Sequence, residues 1–302
     1  MKDDKQLVQN LLEKRKTLRI EKKYSEADEI RKEIESFGYD LIDDVNGTRV
    51  VKKEESIKNR NTKQFLVLFG SGETSSVGRS TYDYVLKQID KKHINISIIT
   101  TPAGFQPNVI SVHEEIADFM KTGLKNFQPQ VSIIYANDSQ KANDPNIVNG
   151  LNGSDLIFMG PGSPTYALHN LQNTLLLEKI TELFKNNASI FLSSAAVLTF
   201  SRYTLPVYEI FKVGASLYWE KGLDFFSSRM NETTLIPHCN NTEGMPKLDT
   251  SYCFMGKDRF NRLRTLLSPK ESVLGIDEQT ALIVDLQSHN QTIIGKGTTH
   301  SL

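Results

Sequence analysis

The sequence predicts an α/β protein: a three-layer, doubly wound and mostly parallel sheet, preceded by a small helical module that ends in a β-hairpin. Three observations carry this. From Gln64 onward, short β-branched or aliphatic runs alternate with amphipathic stretches. The first 60 residues hold 15 of the 36 Lys and Arg and 14 of the 36 Asp and Glu, so charge makes up about half of that segment and under a fifth of the rest. Finally, glycine-rich or small-residue turns follow four of the apolar runs, and such turns at the carboxyl ends of strands are where a doubly wound sheet gathers its reactive groups.

In the charged segment, Leu7, Leu11, Leu12 and Leu18 lie on one face of a first helix, and Ala27, Ile30 and Ile34 on one face of a second. Ser25-Glu26-Ala27-Asp28 reads as the capping box of the second helix, and Phe37-Gly38 as its stop. Residues 39–42, an Asn46-Gly47 turn and residues 48–51 have the pattern of a hairpin. Residues 52–63, KKEESIKNRNTK, read as a linker, which divides the chain into 1–51, 52–63 and 64–302. In the last part, residues 65–69, 94–100, 131–135, 155–159 and 188–192 are expected strands, with helices over 81–90 and 112–123. Strand-like runs at 273–276, 281–285 and 292–294 are expected to finish the sheet at one edge.

With 302 residues, 38% of them hydrophobic, the chain can bury a sizeable core. Its zero formal net charge argues against binding nucleic acid by whole-protein attraction, though a local basic surface is compatible with it. No apolar run approaches the roughly 20 residues of a membrane span, and the start MKDDKQ is not a signal peptide, so a cytoplasmic protein is expected. Two cysteines, Cys239 and Cys253, make neither a disulfide framework nor a CxxC zinc motif. No structural metal and no cofactor are expected.

The four turns carry functional readings, and the first two have a structural reading beside the functional one. Gly70-Ser71-Gly72-Glu73-Thr74 allows close backbone approach to a ligand at Gly72, or is a tight βα turn; it lacks the Lys of a P-loop. In the loop 100–108, two prolines stiffen a segment carrying Gln106 and Asn108, either as substrate contacts or as scaffold. Gly160-Pro161-Gly162-Ser163 places glycines and a serine before a helix, where a backbone N–H can hold an oxyanion. Leu192-Ser193-Ser194-Ala195-Ala196 runs from a strand into an apolar helix with small residues at the bend, as a nucleophile elbow requires. Downstream, Glu209 follows Ser194 by 15 positions and His238 by 44, and Asn240 and Asn241 follow the histidine as candidate substrate contacts. A serine, an acid and a histidine in that order suit acyl transfer. Ser193 is the alternative nucleophile if the elbow shifts by one residue.

On the segments FLVLFGSGET, IFMGPGSPTYAL, FLSSAAVL and LGIDEQTALIV, residues 64–302 resemble the cyanophycinase and aspartyl dipeptidase family of serine peptidases, a branch of the class I glutamine-amidotransferase-like fold. The resemblance implies Ser194 as nucleophile, His238 as its base, Glu209 as the acidic member, and Gly162 with the N–H of Ala195 at the oxyanion hole. The family's Gly-x-Ser-Ala-Gly elbow departs here to Leu192 and Ala196, where bulk resists a strained turn. No cysteine stands in the elbow, so thiol-type amidotransfer is not expected.

Residues 5–51 resemble the carboxyl-terminal tRNA-recognition appendix of cysteinyl-tRNA synthetase, on Arg15, Arg19, Lys23, the helix start at Ser25 to Arg31, Gly38 and the segment 43–49. HIGH-like and KMSKS-like signatures are absent from the chain, so the synthetase activity is not implied. Lys14, Arg15, Arg19 and Lys23 are the candidate phosphate contacts, or a solvated helix face offset by nearby acids.

Two functions follow as expectations. One is a serine hydrolase or peptidase that opens a peptide, isopeptide or related amide through Ser194, His238 and Glu209. The other is a degenerate hydrolase-fold protein that binds a small ligand or a tRNA-related partner. A membrane partner is not expected, and a homo-oligomer is left open.

Overall fold

The computed structural model describes residues 2–44, 47–52, 63–89, 91–227 and 233–302. Two compact units result, Met1–Thr62 and Lys63–Leu302. The expected linker lies almost wholly outside the described residues, as does Asn46 of the expected hairpin turn.

The first unit has helices Lys2–Ile20 and Tyr24–Ser36, then strands Tyr39–Asp44 (β1) and Gly47–Lys52 (β2), paired antiparallel with Leu41 opposite Val50. Its small core joins Leu11, Leu12 and Leu18 to Ala27, Ile30, Ile34 and Leu41, as the helical periodicity requires, whereas Leu7 is 44% exposed and Val8 is buried in its place. The capping box does not form. Lys22 turns at φ 61° and the N–H of Lys23 bonds to Leu18 O at 2.9 Å, so the second helix starts at Tyr24 and takes Ser25 into its first turn. Arg15 faces this core with 2% of its surface exposed, and its guanidinium donates to Thr48 Oγ1 at 3.4 Å. It is therefore not a surface cation awaiting phosphate. Lys23 is exposed and paired with Glu21 at 2.8 Å, while Lys14 and Arg19 lie on the exposed face.

In the second unit, Phe65–Ser71 (β3), Asn95–Ile99 (β4), Gln130–Ile134 (β5), Leu156–Met159 (β6) and Ser189–Ser193 (β7) are mutually parallel where they pair. The two-residue strands Tyr203–Thr204 (β8) and Glu220–Lys221 (β9) form a separate ribbon. Beyond them come Thr233–Ile236 (β10), Ser272–Ile276 (β11), Thr280–Asp285 (β12), Gln291–Gly295 (β13) and Thr299–Ser301 (β14). The central sheet has the order β13-β12-β3-β7-β6-β4-β5, with β12 and β13 antiparallel at one edge.

Alternation along the buried strands supplies both faces. Leu66, Leu68, Ile190 and Leu192 point to one core with Leu176, Ile180 and Phe200 from the helices Leu175–Lys185 and Ala195–Phe200. Phe65, Val67, Phe69 and Phe191 point to the other, packing on Tyr82, Leu86, Ile116 and Met120 from the helices Ser76–Ile89 and Val109–Gly123. The result is the three-layer sandwich that near-continuous apolar strands predict.

One strand departs from expectation. Residues 273–276 do not extend the central sheet but form the middle of a second one, order β10-β11-β14, parallel to β10 and antiparallel to β14. The three residues Asp277, Glu278 and Gln279, the last at φ 52°, carry the chain from this sheet back into β12. Thus the second sheet ends in the segments that hold His238 and Glu278, while Ser194 leaves the central one. Among the described residues, no helix is long and apolar enough to cross a membrane.

Candidate active site

Ser194 is the first residue after β7 and precedes the helix Ala195–Phe200, and its backbone stands at φ 52°, ψ −115°. A non-glycine residue rarely adopts this conformation, and here it is fixed between a strand in mid-sheet and a fully buried helix. Leu192 and Ala196 do not obstruct the bend. Leu192 is a core residue of the sheet, paired with Leu68 and Met159, and Ala196 packs in the same apolar cluster.

His238 follows β10 at φ 52°, held by its N–H on Gly70 O (3.2 Å) and by the Cys253 N–H on its own carbonyl (3.2 Å). Its Nε2 lies 2.9 Å from Ser194 Oγ and its Nδ1 lies 2.9 Å from Glu278 Oε1. Glu278 is in turn clamped: its N–H donates to Asn240 Oδ1 at 2.8 Å, and Asn241 Nδ2 donates to Oε1 at 2.7 Å. The hydrogen bond from His238, aided by Asn241 and opposed by partial burial, holds the Glu278 carboxyl below its ordinary range. An ionised carboxylate only accepts, so the ring proton belongs on Nδ1, which leaves the Nε2 lone pair for the serine hydroxyl.

Glu209 does not occupy the position expected of it. After the elbow the chain runs through a buried helix and β8 before the helical turn Glu209–Val213, and this path delivers Glu209 to Thr165, whose Oγ1 donates to Glu209 Oε1 at 2.6 Å. The other carboxylate oxygen is buried without a hydrogen-bond partner among the described residues. Linear spacing from Ser194 thus points to a carboxylate bonded to Thr165 rather than to the one on the histidine. Asn240 and Asn241, expected to meet substrate, instead support Glu278. Ser163 likewise caps the helix Pro164–Leu171, accepting from the Tyr166 N–H at 3.2 Å, and its own N–H is taken by Pro102 O at 2.9 Å.

Gly162 stands at φ 153°, and a Cβ there would collide with the Pro102 carbonyl, so this position is restricted to glycine. Ala195 is the first residue of its helix, where an N–H has no intrahelical acceptor. Gly72, at φ 85°, supplies the carbonyl on which Ser75 and Gly78 N–H groups close the turn, and a Cβ would meet the Gln279 side chain. Gln106 is half-buried and Asn108 exposed, the latter preceding the helix Val109–Gly123 without a side-chain cap. Among the described residues, neither the Gln106 nor the Asn108 side chain is bonded to Ser194, His238 or Glu278.

The alternative nucleophile is occupied elsewhere. Ser193 is fully buried and paired with Phe69, and its hydroxyl donates to Glu73 Oε2 at 2.8 Å. Burial pushes the Cys239 thiol up to about 12, with Asp277 adding to it, and pushes Cys253 higher still, so neither is a thiolate nucleophile.

A mostly parallel sheet, an elbow serine at its carboxyl edge and a flanking antiparallel pair define a glutamine-amidotransferase-like α/β fold. Two solved structures share it. A peptidase from an acI-B1 Actinobacterium superimposes with a TM-score of 0.62 at 20% identity, covering 80% of this chain and 91% of that one. A Listeria monocytogenes EGD-e protein assigned to peptidase E superimposes with a TM-score of 0.52 at 15% identity, covering 78% of this chain and 100% of that one. No family model matches the sequence. The comparison with curated proteins likewise finds no match.

Proposed function

We propose that the second unit is a serine hydrolase that cleaves a peptide, isopeptide or related amide through Ser194, His238 and Glu278. The observation that carries this reading is the unbroken chain of contacts from Ser194 Oγ through the His238 ring to Glu278, each 2.9 Å, on a serine held in the elbow conformation. Peptidases among the solved structures of the same fold, and the resemblance to the cyanophycinase and aspartyl dipeptidase family, point the same way.

In this mechanism His238 Nε2 takes the Ser194 proton as Oγ attacks the substrate carbonyl carbon. Glu278 accepts from the Nδ1–H and stabilises the imidazolium that forms. The N–H groups of Ala195 and Gly162 receive the oxyanion. On collapse, the carbon–nitrogen bond breaks, His238 Nε2 returns its proton to the leaving amine, and an ester to Ser194 remains. Water then repeats the sequence, its proton passing to His238 and back to Ser194 as the acid is released.

The tRNA contact expected of the first unit stays outside this reading, since Arg15 belongs to that unit's core and Lys23 is paired with Glu21. The reading is tested by incubating the protein with a panel of short peptides and isopeptide-linked dipeptides and quantifying liberated amine, with Ser194→Ala as the blank. Release by the wild type alone supports it. Binding of a panel member without release supports a degenerate, ligand-holding domain instead.

A further inference from the structure

Adjacent in sequence to His238 and Glu278 stand Cys239 and Asp277, and the side chain of neither takes part in the contacts described above. Together with His300 they form a group whose ligand atoms, Sγ, a carboxylate oxygen and a ring nitrogen, all lie within 4.8 Å of one another. Cys239 and Asp277 are 6% and 5% exposed, whereas the His300 side chain is 40% exposed.

The backbone makes room for this group. A Cβ on Gly275 would lie 2.6 Å from Cys239 Sγ, and a Cβ on Gly297 would lie 2.6 Å from Asp277 Oδ2, so two glycines vacate the space that the two ligand side chains fill. Gly275 is also the register partner of His300 across β11 and β14. Asp277 is already oriented by the Thr298 N–H on Oδ2 (3.0 Å) and by His300 Nε2 on Oδ1 (2.8 Å).

We infer that Cys239, Asp277 and His300 form a binding site for a divalent transition metal ion of the zinc type. Thiolate, imidazole and carboxylate are the three side-chain ligands zinc takes, and bonds of about 2.0–2.3 Å place tetrahedral ligand atoms about 3.5 Å apart, so closure needs shifts of about 1 Å. On binding, the Cys239 thiol releases its proton to solvent, and His300 ligates through Nε2 with its ring proton on Nδ1. Asp277 Oδ1 exchanges His300 for the metal while Oδ2 keeps the Thr298 N–H. The exposed edge of His300 is the entry path, and water fills the fourth position. The ion would then fasten β14 to the two segments that present His238 and Glu278. No spacing motif announces the site, because its ligands come from three separate stretches of chain.

The inference goes beyond the hydrolase reading and does not depend on it. The test is titration of the metal-free full-length protein with cobalt(II) and then zinc(II), followed by absorption. The expected result is one equivalent of cobalt giving a thiolate-to-cobalt charge-transfer band that zinc displaces. The band should vanish in Cys239→Ser and survive in Cys253→Ser. His300→Gln, at a side chain 40% exposed, should weaken zinc binding by at least the roughly 10–100-fold that loss of even an outer-shell partner costs, so it decides the matter if Cys239→Ser does not fold. A wild type without the band, or a band indifferent to His300→Gln, overturns the site. Labelling of Ser194 in the same preparations reports on the hydrolase reading separately.

Discussion

Glu278 Oε1 lies 2.9 Å from His238 Nδ1, although the two residues are 40 apart in sequence and leave different strands of the same three-stranded sheet. That contact places the ring proton on Nδ1, and it sets Glu278 apart from Glu209, the carboxylate that the sequence resemblance implies. Glu278→Gln keeps the shape but loses the charge that holds Nδ1–H, so amide turnover should fall by about 10³–10⁴-fold. Glu209→Gln should leave the rate at which a serine-directed phosphonate reacts within about threefold of wild type, since Glu209 does not touch His238 and its carboxylate is held by Thr165 instead. Stopped-time labelling of both variants checks this; a larger loss in Glu209→Gln would return the catalytic acid to that position.

The fold was legible because its signals are local and redundant. Five parallel strands announce themselves as apolar runs, and the structure moves their bounds by a residue or two. The elbow was legible for the same reason: a strand, a serine and small neighbours are contiguous. The carboxylate on His238 was not, because chain order and spacing say nothing of the path between Ser194 and Glu209, whereas position just beyond a strand end points to Glu278. Glu278 is the second residue beyond the carboxyl end of β11, as His238 is beyond β10, and both lie where reactive groups of such sheets collect. The roles of Asn240, Asn241 and Ser163 were hidden for a different reason, since the same amide or hydroxyl can serve substrate or a neighbouring residue until its partner is known. The capping box failed because a tight turn at Lys22 overrode a local preference worth about 1 kcal/mol.

Acid should act on this site in a defined direction. The folded-state pKa of Glu278 is lowered from 4.5, chiefly by the His238 hydrogen bond, so the pairing stabilises the protein fully above the ordinary carboxylate range and is lost as pH falls through the depressed value. Below pH 4.5 the wild type should therefore lose stability more steeply than Glu278→Gln. Denaturant melts of the two proteins at a series of acidic pH values measure the slopes; parallel slopes would show that the pairing does not stabilise the folded state.

The elbow stores strain that glycine would release. Ser194 sits at φ 52°, ψ −115°. Ser194→Gly should be more stable than Ser194→Ala by about 1 kcal/mol, the strain relieved being partly offset by the added freedom of the unfolded chain. Thermal melts of the two inactive variants compare them without interference from turnover. An alanine variant at least as stable as glycine would mean that the bend is unstrained.

Ser193 is expected to matter for folding rather than chemistry. Its buried hydroxyl donates to Glu73 Oε2 at 2.8 Å. Ser193→Ala should cost about 1–3 kcal/mol by leaving a carboxylate oxygen short of a donor, while phosphonate labelling persists at a rate near wild type. Loss of labelling in a folded Ser193→Ala protein would transfer the nucleophile to that residue.

The most direct measurement is the site of covalent capture. A fluorophosphonate forms a phosphorus–oxygen bond only with a serine whose proton is being withdrawn, expelling fluoride, so intact mass followed by peptide mapping identifies the residue that His238 activates. A single adduct is expected on the peptide containing Ser194, absent in Ser194→Ala and strongly slowed in His238→Ala and Glu278→Gln. An unlabelled wild type, or an adduct that forms equally fast in His238→Ala, would contradict it.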